Sequence, residues 1–69
     1  MKNEIIFYIE DSMEGGFEAR ALGYSIFTEG DNVDELKTNI IDAVKCHFEP
    51  ENLPSVISLH FVKEEALSL

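Results

Sequence analysis

The feature that most constrains this chain is one amphipathic stretch, Gly30 to Phe48, with the sequence GDNVDELKTNIIDAVKCHF. On a helical wheel its apolar residues share one broad arc, and its charged residues lie opposite. The apolar arc contains Val33, Leu36, Ile40, Ile41, Ala43, Val44 and Phe48. Asn32 is a suitable N-cap, and Glu35 follows at the capping-box spacing. Because Pro50 disfavours a helical residue before it, we predict one helix that ends by Glu49 and buries one face.

Four shorter stretches alternate between apolar and polar residues, as strands do when one face is buried. They cover residues 4–10, 17–22, 24–28 and 56–62. Gly15 and Gly16 predict a hairpin between the first two strands, because glycine permits the positive φ that such a reversal needs. A turn at 29–31 is predicted to end the third strand before the helix. From Lys63 onward we predict a short tail of one helical turn.

The element order is therefore β-β-β-α-β, an α+β fold in which an antiparallel meander is followed by a crossover helix and a returning strand. A helix that joins two strands of one sheet usually returns the chain to a parallel position. We predict a four-stranded, mostly antiparallel sheet of order 3-2-1-4 with the helix on one face. Sixty-nine residues form a single domain, 1–69, whose small core self-association would help to stabilise.

One helix covers only one face of this sheet, and the other face is rich in apolar side chains. The predicted uncovered face has four charged residues, Glu4, Glu10, Glu18 and Arg20. Between them it carries Ile6, Tyr8, Leu22, Phe27, Val56, His60 and Val62. This is more apolar surface than a sheet face of this size exposed to solvent usually carries. We therefore predict that these residues form an interface with a second copy or with a partner protein.

Charge restricts the partner. Fourteen acidic and five basic residues give a net charge of −9, which disfavours nucleic acid and anionic membranes and favours a basic protein. The single cysteine forms no internal disulfide, and neither a signal peptide nor a transmembrane span is recognisable. The sequence thus predicts a soluble cytoplasmic protein.

Only Cys46, His47 and His60 offer soft or imidazole ligands to a metal. Cys46 and His47 are adjacent on the predicted helix and point about 100° apart, so they do not converge on one ion or act as a catalytic pair. We predict structural roles for all three residues and no metal site.

The remaining patterns that suggest chemistry have simpler explanations. Four carboxylates surround the first hairpin, where a solvated loop is expected: Glu10, Asp11, Glu14 and Glu18. Gly15 and Gly16 lack the Lys and Ser of a phosphate-binding loop. Tyr8, Phe27 and His60 resemble a base-stacking platform, but the negative charge opposes RNA binding. We predict no catalytic residues, no cofactor and no enzymatic activity.

Taken together, the motifs resemble the HicB-like antitoxin family, specifically its short stand-alone members. The matching features are the hairpin GGFEA, the Gly30-Asp31 pair, the helix pattern EL…NI…AV and the final strand LHFV. The sequence differs at Leu22-Gly23-Tyr24-Ser25, where typical members have Leu-Pro-Gly-Cys, and at Asn32, where Thr is usual.

The resemblance implies a partial ribonuclease-H-like fold, found in this family as homo-oligomers such as dimers or tetramers. It also implies an antitoxin that binds and blocks a small, basic, RNA-cleaving toxin of the HicA type. Members that regulate transcription carry a further C-terminal DNA-binding module, which is not recognisable before Leu69, so direct DNA binding is not expected.

Three functions remain open at this point. The first is an antitoxin-type protein that neutralises a basic toxin. The second is a stand-alone homo-oligomeric module, structural or regulatory, with no toxin partner. The third is an accessory protein that binds a small ligand or a metal, which metal analysis of the purified protein would test. The resemblance and the charge favour the first.

Overall fold

The computed structural model describes residues 3–62 and 67–69. Its elements are β1 (Glu4–Asp11), β2 (Phe17–Ala21), β3 (Phe27–Gly30), α1 (Val33–His47), a 3₁₀ helix (Pro50–Asn52) and β4 (Val56–Phe61). The strands form one sheet in the order β3-β2-β1-β4. β4 is parallel to β1, and the other pairs are antiparallel. The predicted α+β fold and strand order are confirmed, whereas the predicted helical turn falls largely on residues 63–66, outside the described residues.

The helix begins where the sequence predicts. Asn32 is the N-cap, and its side-chain oxygen accepts the backbone N–H of Glu35 at 2.8 Å. The Glu35 carboxylate accepts a longer bond of 3.4 Å from the N–H of Asp31, one residue before the cap. At the other end the Phe48 N–H donates to the Val44 carbonyl, and the 3₁₀ helix begins at Pro50. These bonds satisfy backbone groups that a helix leaves unpaired at its ends.

The core lies between the sheet and α1. β1 contributes Ile5, Phe7 and Ile9, each at most 1% exposed, and α1 contributes Leu36, Ile40 and Val44. Burial of each large apolar side chain contributes about 1.5–3 kcal/mol. Ala19 and Ala21 of β2 are also buried, and their small side chains leave room for the helix over this strand.

The predicted start of the third strand is wrong. The chain reverses through Gly23, which has a φ of +83°, and the Ala21 N–H closes the reversal by donating to the Ile26 carbonyl. β3 therefore begins at Phe27, three residues later than predicted, and it includes Glu29 and Gly30, which were predicted to form a turn. Alternation in a short apolar run does not specify where a strand begins, because the turn fixes the register.

The predicted apolar arc of the helix is only partly buried. Ile41 is 45% exposed, and Val33 is half-buried. The helix approaches β3 and β2 most closely, so the edge of its arc that carries Ile41 extends towards the β4 side of the molecule. One helix therefore covers less of the sheet than the pattern alone predicts.

Gly30 permits the close contact between β3 and the start of α1. A Cβ atom at this position would lie 2.6 Å from the Leu36 nitrogen and 2.7 Å from the Leu36 Cα. Both are backbone atoms, which cannot move aside as a side chain can. Only glycine lets the end of β3 pack directly against the first turns of the helix.

Candidate interaction surface

The face of the sheet opposite the helix, here called the open face, carries the residues predicted to form an interface. Strand alternation and register place Ile6, Tyr8, Phe27, Val56 and His60 on it. Leu22 and Val62 follow directly after β2 and β4 and continue the alternation, with their N–H groups bound to the Ile6 and Ile9 carbonyls. Ile6 is half-buried, and the other six residues are exposed. The structure thus brings the predicted residues to one surface.

The register arranges this face in transverse rows. One row, here called the aromatic row, crosses all four strands through Phe27, Arg20, Tyr8 and His60. The Tyr8 and His60 rings meet edge to face, with centroids 5.9 Å apart. Phe27 is 58% exposed, so the row presents apolar area together with the Arg20 guanidinium. Residues of these types are enriched at protein interfaces.

The neighbouring row, here called the acidic row, consists of Glu29, Glu18 and Glu10 on three adjacent strands. Glu18 lies directly opposite both other glutamates. The same side chains line a depression of about 530 Å³ together with hairpin residues that include Asp11 and Glu14. The four carboxylates predicted to surround a solvated loop thus share one concave surface with Glu29. Sequence reasoning missed Glu29 because it assigned that residue to a turn.

A hydrogen bond marks the opposite end of the open face. The Ser58 hydroxyl of β4 donates to the Glu4 carboxylate of β1. Val56 is paired with Glu4 in the register, and Leu22 lies across from Ile6. The other three carboxylates of the open face lie together in the acidic row.

The helix-facing side of β4 is a second surface, which the sequence did not predict. Ile57 and Leu59 are half-buried, and Phe61 is 54% exposed. With Ile41 and Pro54, the first two of these residues line a groove of about 330 Å³ between α1 and β4. Leu53 to Val62 contains no charged residue, and this uncharged run is the sequence signal that marks the surface.

The predicted ligand candidates lie apart. The exposed Cys46 and its neighbour His47 are on α1, whereas His60 is on the open face. His47 packs edge to face against Phe48 and Tyr24, with centroid distances of 4.8 and 5.8 Å. Within residues 3–62 and 67–69, no group of three His, Cys, Asp or Glu side chains is arranged to hold a metal ion.

In the part of the chain that the structure describes, no helix is long and apolar enough to cross a bilayer.

Comparison with known proteins shows the family of the chain. A UPF0150 protein of Thermotoga maritima is 41% identical over 68 residues, which cover 99% of this chain and 96% of the relative. A UPF0150 protein of Archaeoglobus fulgidus is 46% identical over 52 residues, covering 75% of this chain and 77% of the relative. No family model matches the chain, and no solved structure matches it. The 41% identity to the Thermotoga maritima protein, over nearly the whole length of both chains, shows that this protein belongs to the UPF0150 family.

Proposed function

We propose that this UPF0150 protein is a non-catalytic, antitoxin-type binding protein that neutralises a small basic RNA-cleaving toxin of the HicA type. The chain would act by covering the surface with which the toxin binds RNA. The resemblance of its motifs to short HicB-like antitoxins supports this function, and the net charge of −9 suits a basic partner.

The acidic row is the observation that supports the proposal most directly. Like charges directly opposite each other in a sheet are destabilising. Glu18 makes two such pairs, with Glu10 and Glu29. A cationic partner surface would remove this repulsion on binding, so the arrangement favours the complex over the free chain. Lysine and arginine side chains that bind RNA phosphates are suitable occupants of the same depression.

The aromatic row supplies the apolar part of the proposed contact. Tyr8 and Arg20 are of the residue types that most often dominate binding energy, and they lie in the centre of the sheet between Phe27 and His60. Charges at the acidic row would speed the encounter with the toxin, and the neighbouring aromatic row would slow its dissociation.

The experiment begins with the gene. A short reading frame for a basic protein beside the gene of this chain is expected, and its product should cleave RNA and arrest growth. Adding the purified chain should inhibit the cleavage at near-stoichiometric amounts. If no such reading frame adjoins the gene and no toxin-like protein copurifies, the proposal is wrong.

A charge variant tests the acidic row. Glu18→Gln should weaken toxin binding about tenfold, or about 1.4 kcal/mol. The same change should raise the free energy of unfolding of the free chain, because two like-charge contacts disappear. Glu51→Gln is the matched control, since it makes the same charge change in the 3₁₀ helix. Calorimetry and urea unfolding measure the two effects, and equal binding losses in both variants would contradict a specific role for the row.

A stand-alone homo-oligomeric module without a toxin is the second candidate function. The uncharged surface of β4 favours it, because that surface suits a second copy of a strongly acidic chain. Growth arrest by the neighbouring gene product, relieved by this chain, would decide between the two functions.

A further inference from the structure

The hydrogen bonds of β4 show which of its backbone groups face away from the sheet. The N–H groups of Val56 and Val62 donate to the Asn3 and Ile9 carbonyls along β1, at 3.1 and 2.8 Å. Successive residues of a strand direct their backbone groups to opposite edges. The N–H and C=O groups of the three intervening odd-numbered residues therefore point outward from the sheet edge. These residues are Ile57, Leu59 and Phe61.

Within residues 3–62 and 67–69, this edge carries none of the usual protection. Natural proteins cover exposed edges or place charges, prolines or bulges on them, because unpaired backbone groups recruit other strands. β4 is six residues long and contains no charge, proline or glycine. It also lies within the longest uncharged run of the chain, Asn52 to Val62. In a chain with a charge of −9, an uncharged edge is where a second copy meets the least repulsion.

We propose that β4 pairs antiparallel with β4 of a second copy, about a two-fold axis at Leu59, and that the two sheets join into one of eight strands. This register uses every outward-facing residue of the strand. Leu59 of one copy pairs with Leu59 of the other, and Ile57 of each copy pairs with Phe61 of the other. Each of these three pairs exchanges two backbone hydrogen bonds.

The side chains are self-complementary in this register. On the open face Val56 meets Val62, and Ser58 meets His60. The helix-facing side of the pairing is apolar. It brings together Ile57, Leu59 and Phe61 of one copy with the same three residues of the other, of which Ile57 and Leu59 are half-buried and Phe61 is exposed in the single chain. No pair in the ladder places two charges opposite each other. A basic partner is less suited to this edge, because β4 itself has no acidic residue to attract it. The dimer does not depend on the proposed antitoxin function.

Sedimentation equilibrium of the purified chain tests the pairing. The wild-type chain of 7.8 kDa should show a concentration-dependent dimer. Phe61→Lys should raise the dissociation constant at least tenfold, because it places a charge at the edge opposite Ile57 of the other copy. Phe27→Lys is the matched control, since it makes the same change at an equally exposed phenylalanine on β3, and it should leave the dimer intact. Circular dichroism checks that both variants are folded.

Three results would overturn the proposal: a wild-type chain that stays monomeric at millimolar concentration, a dimer that Phe61→Lys leaves unchanged, or a dimer that Phe27→Lys dissociates. The last result would place the second copy on the open face instead.

Disulfide trapping tests the register independently of the lysine variants. In a Cys46→Ser background, Ser58→Cys with His60→Cys creates two symmetric pairs across the axis. Their Cα atoms would be about 4.5 Å apart, within the range of a disulfide. Mild oxidation should yield a covalent dimer on a non-reducing gel, whereas Ser58→Cys alone should not link. A double variant that stays monomeric, or a single variant that links equally fast, would show that this register is wrong. Because only this chain is present, an extended segment of another protein cannot produce the dimer.

Discussion

The two edges of the sheet differ in how they meet solvent. β3 is four residues long, and the backbone groups of its Glu29 face outward. Glu29 has a charged side chain, and its carbonyl accepts a hydrogen bond of 2.7 Å from the Asn39 side-chain amide on α1. β4 is six residues long, carries no charge and presents three residues with outward backbone groups. The β3 edge is thus short, charged and partly capped by the chain itself, whereas the β4 edge is suited to pair with another strand.

The connection between the elements explains the difference. Only Asp31 and Asn32 separate β3 from α1, so the helix must begin beside β3 and lies over β3 and β2. β4 is separated from this contact by β1. Its helix-facing residues therefore remain half-buried, and no element of the described chain covers its outer edge. The short link therefore places the helix beside β3 and leaves β4 at the far edge less covered.

The largest expected effect comes from disrupting the close contact between the end of β3 and α1. Gly30→Ala would place a Cβ against the Leu36 backbone, and we expect it to lower the free energy of unfolding by about 1–3 kcal/mol. Urea unfolding measures the loss. Gly15→Asn is the control, because Gly15 has positive φ but open space around it and asparagine tolerates that conformation. A loss in Gly30→Ala no larger than in the control would mean that the close contact is not required.

A smaller effect is expected from the side chain that caps β3. Asn39→Ala removes the hydrogen bond to the Glu29 carbonyl and should cost about 1 kcal/mol. It should also make the backbone amides of β3 exchange faster with solvent. Thr38→Ala, one residue away on the exposed helix surface, should change stability by less than about 0.5 kcal/mol. Equal stabilities for the two variants would show that Asn39 does not protect this edge.

Added salt should produce the smallest effect, and it should change the two proposed affinities in opposite directions. Raising the salt concentration from about 0.05 to 0.5 M shortens the range of electrostatic interaction several-fold. Dimerisation through the uncharged β4 edge should strengthen a few-fold, because the repulsion between two chains of charge −9 is screened. Binding of a basic toxin to the acidic row should weaken over the same range. Sedimentation and calorimetry measure the two, and a dimer that weakens with salt would place charges in the interface.

The parts that local pattern predicts best are those with several agreeing signals. The helix has an N-cap, a 3.6-residue period and a terminating proline, and its observed span, Val33–His47, lies within the predicted stretch. β1 and β4 each differ from their predicted spans by one residue. β3 was misplaced because its only signal was a short alternation, and the turn that sets its start depends on how Gly23 and Ile26 meet β2.

The candidate surfaces were predictable to different extents. All seven residues predicted for the uncovered face lie at the open face, because alternation along a strand determines the side to which each residue points. The acidic row was not predictable, since adjacency across strands requires the register of three strands at once. The exposed Ile41 and the partly covered β4 followed from where the helix lies over the sheet, which no local pattern specifies.

The sequence by itself determined the order of the elements, most of the residues that face the core and the negative charge that favours a basic partner, because periodicity, capping and composition are properties of neighbouring residues. Only the tertiary structure decided which side chains became neighbours across strands and which edge was left unpaired. These features arise from contacts between residues far apart in the chain, such as Glu10 with Glu18 and Asn39 with Glu29. The proposed binding surfaces therefore rest on the pairing of the strands and not on any single motif.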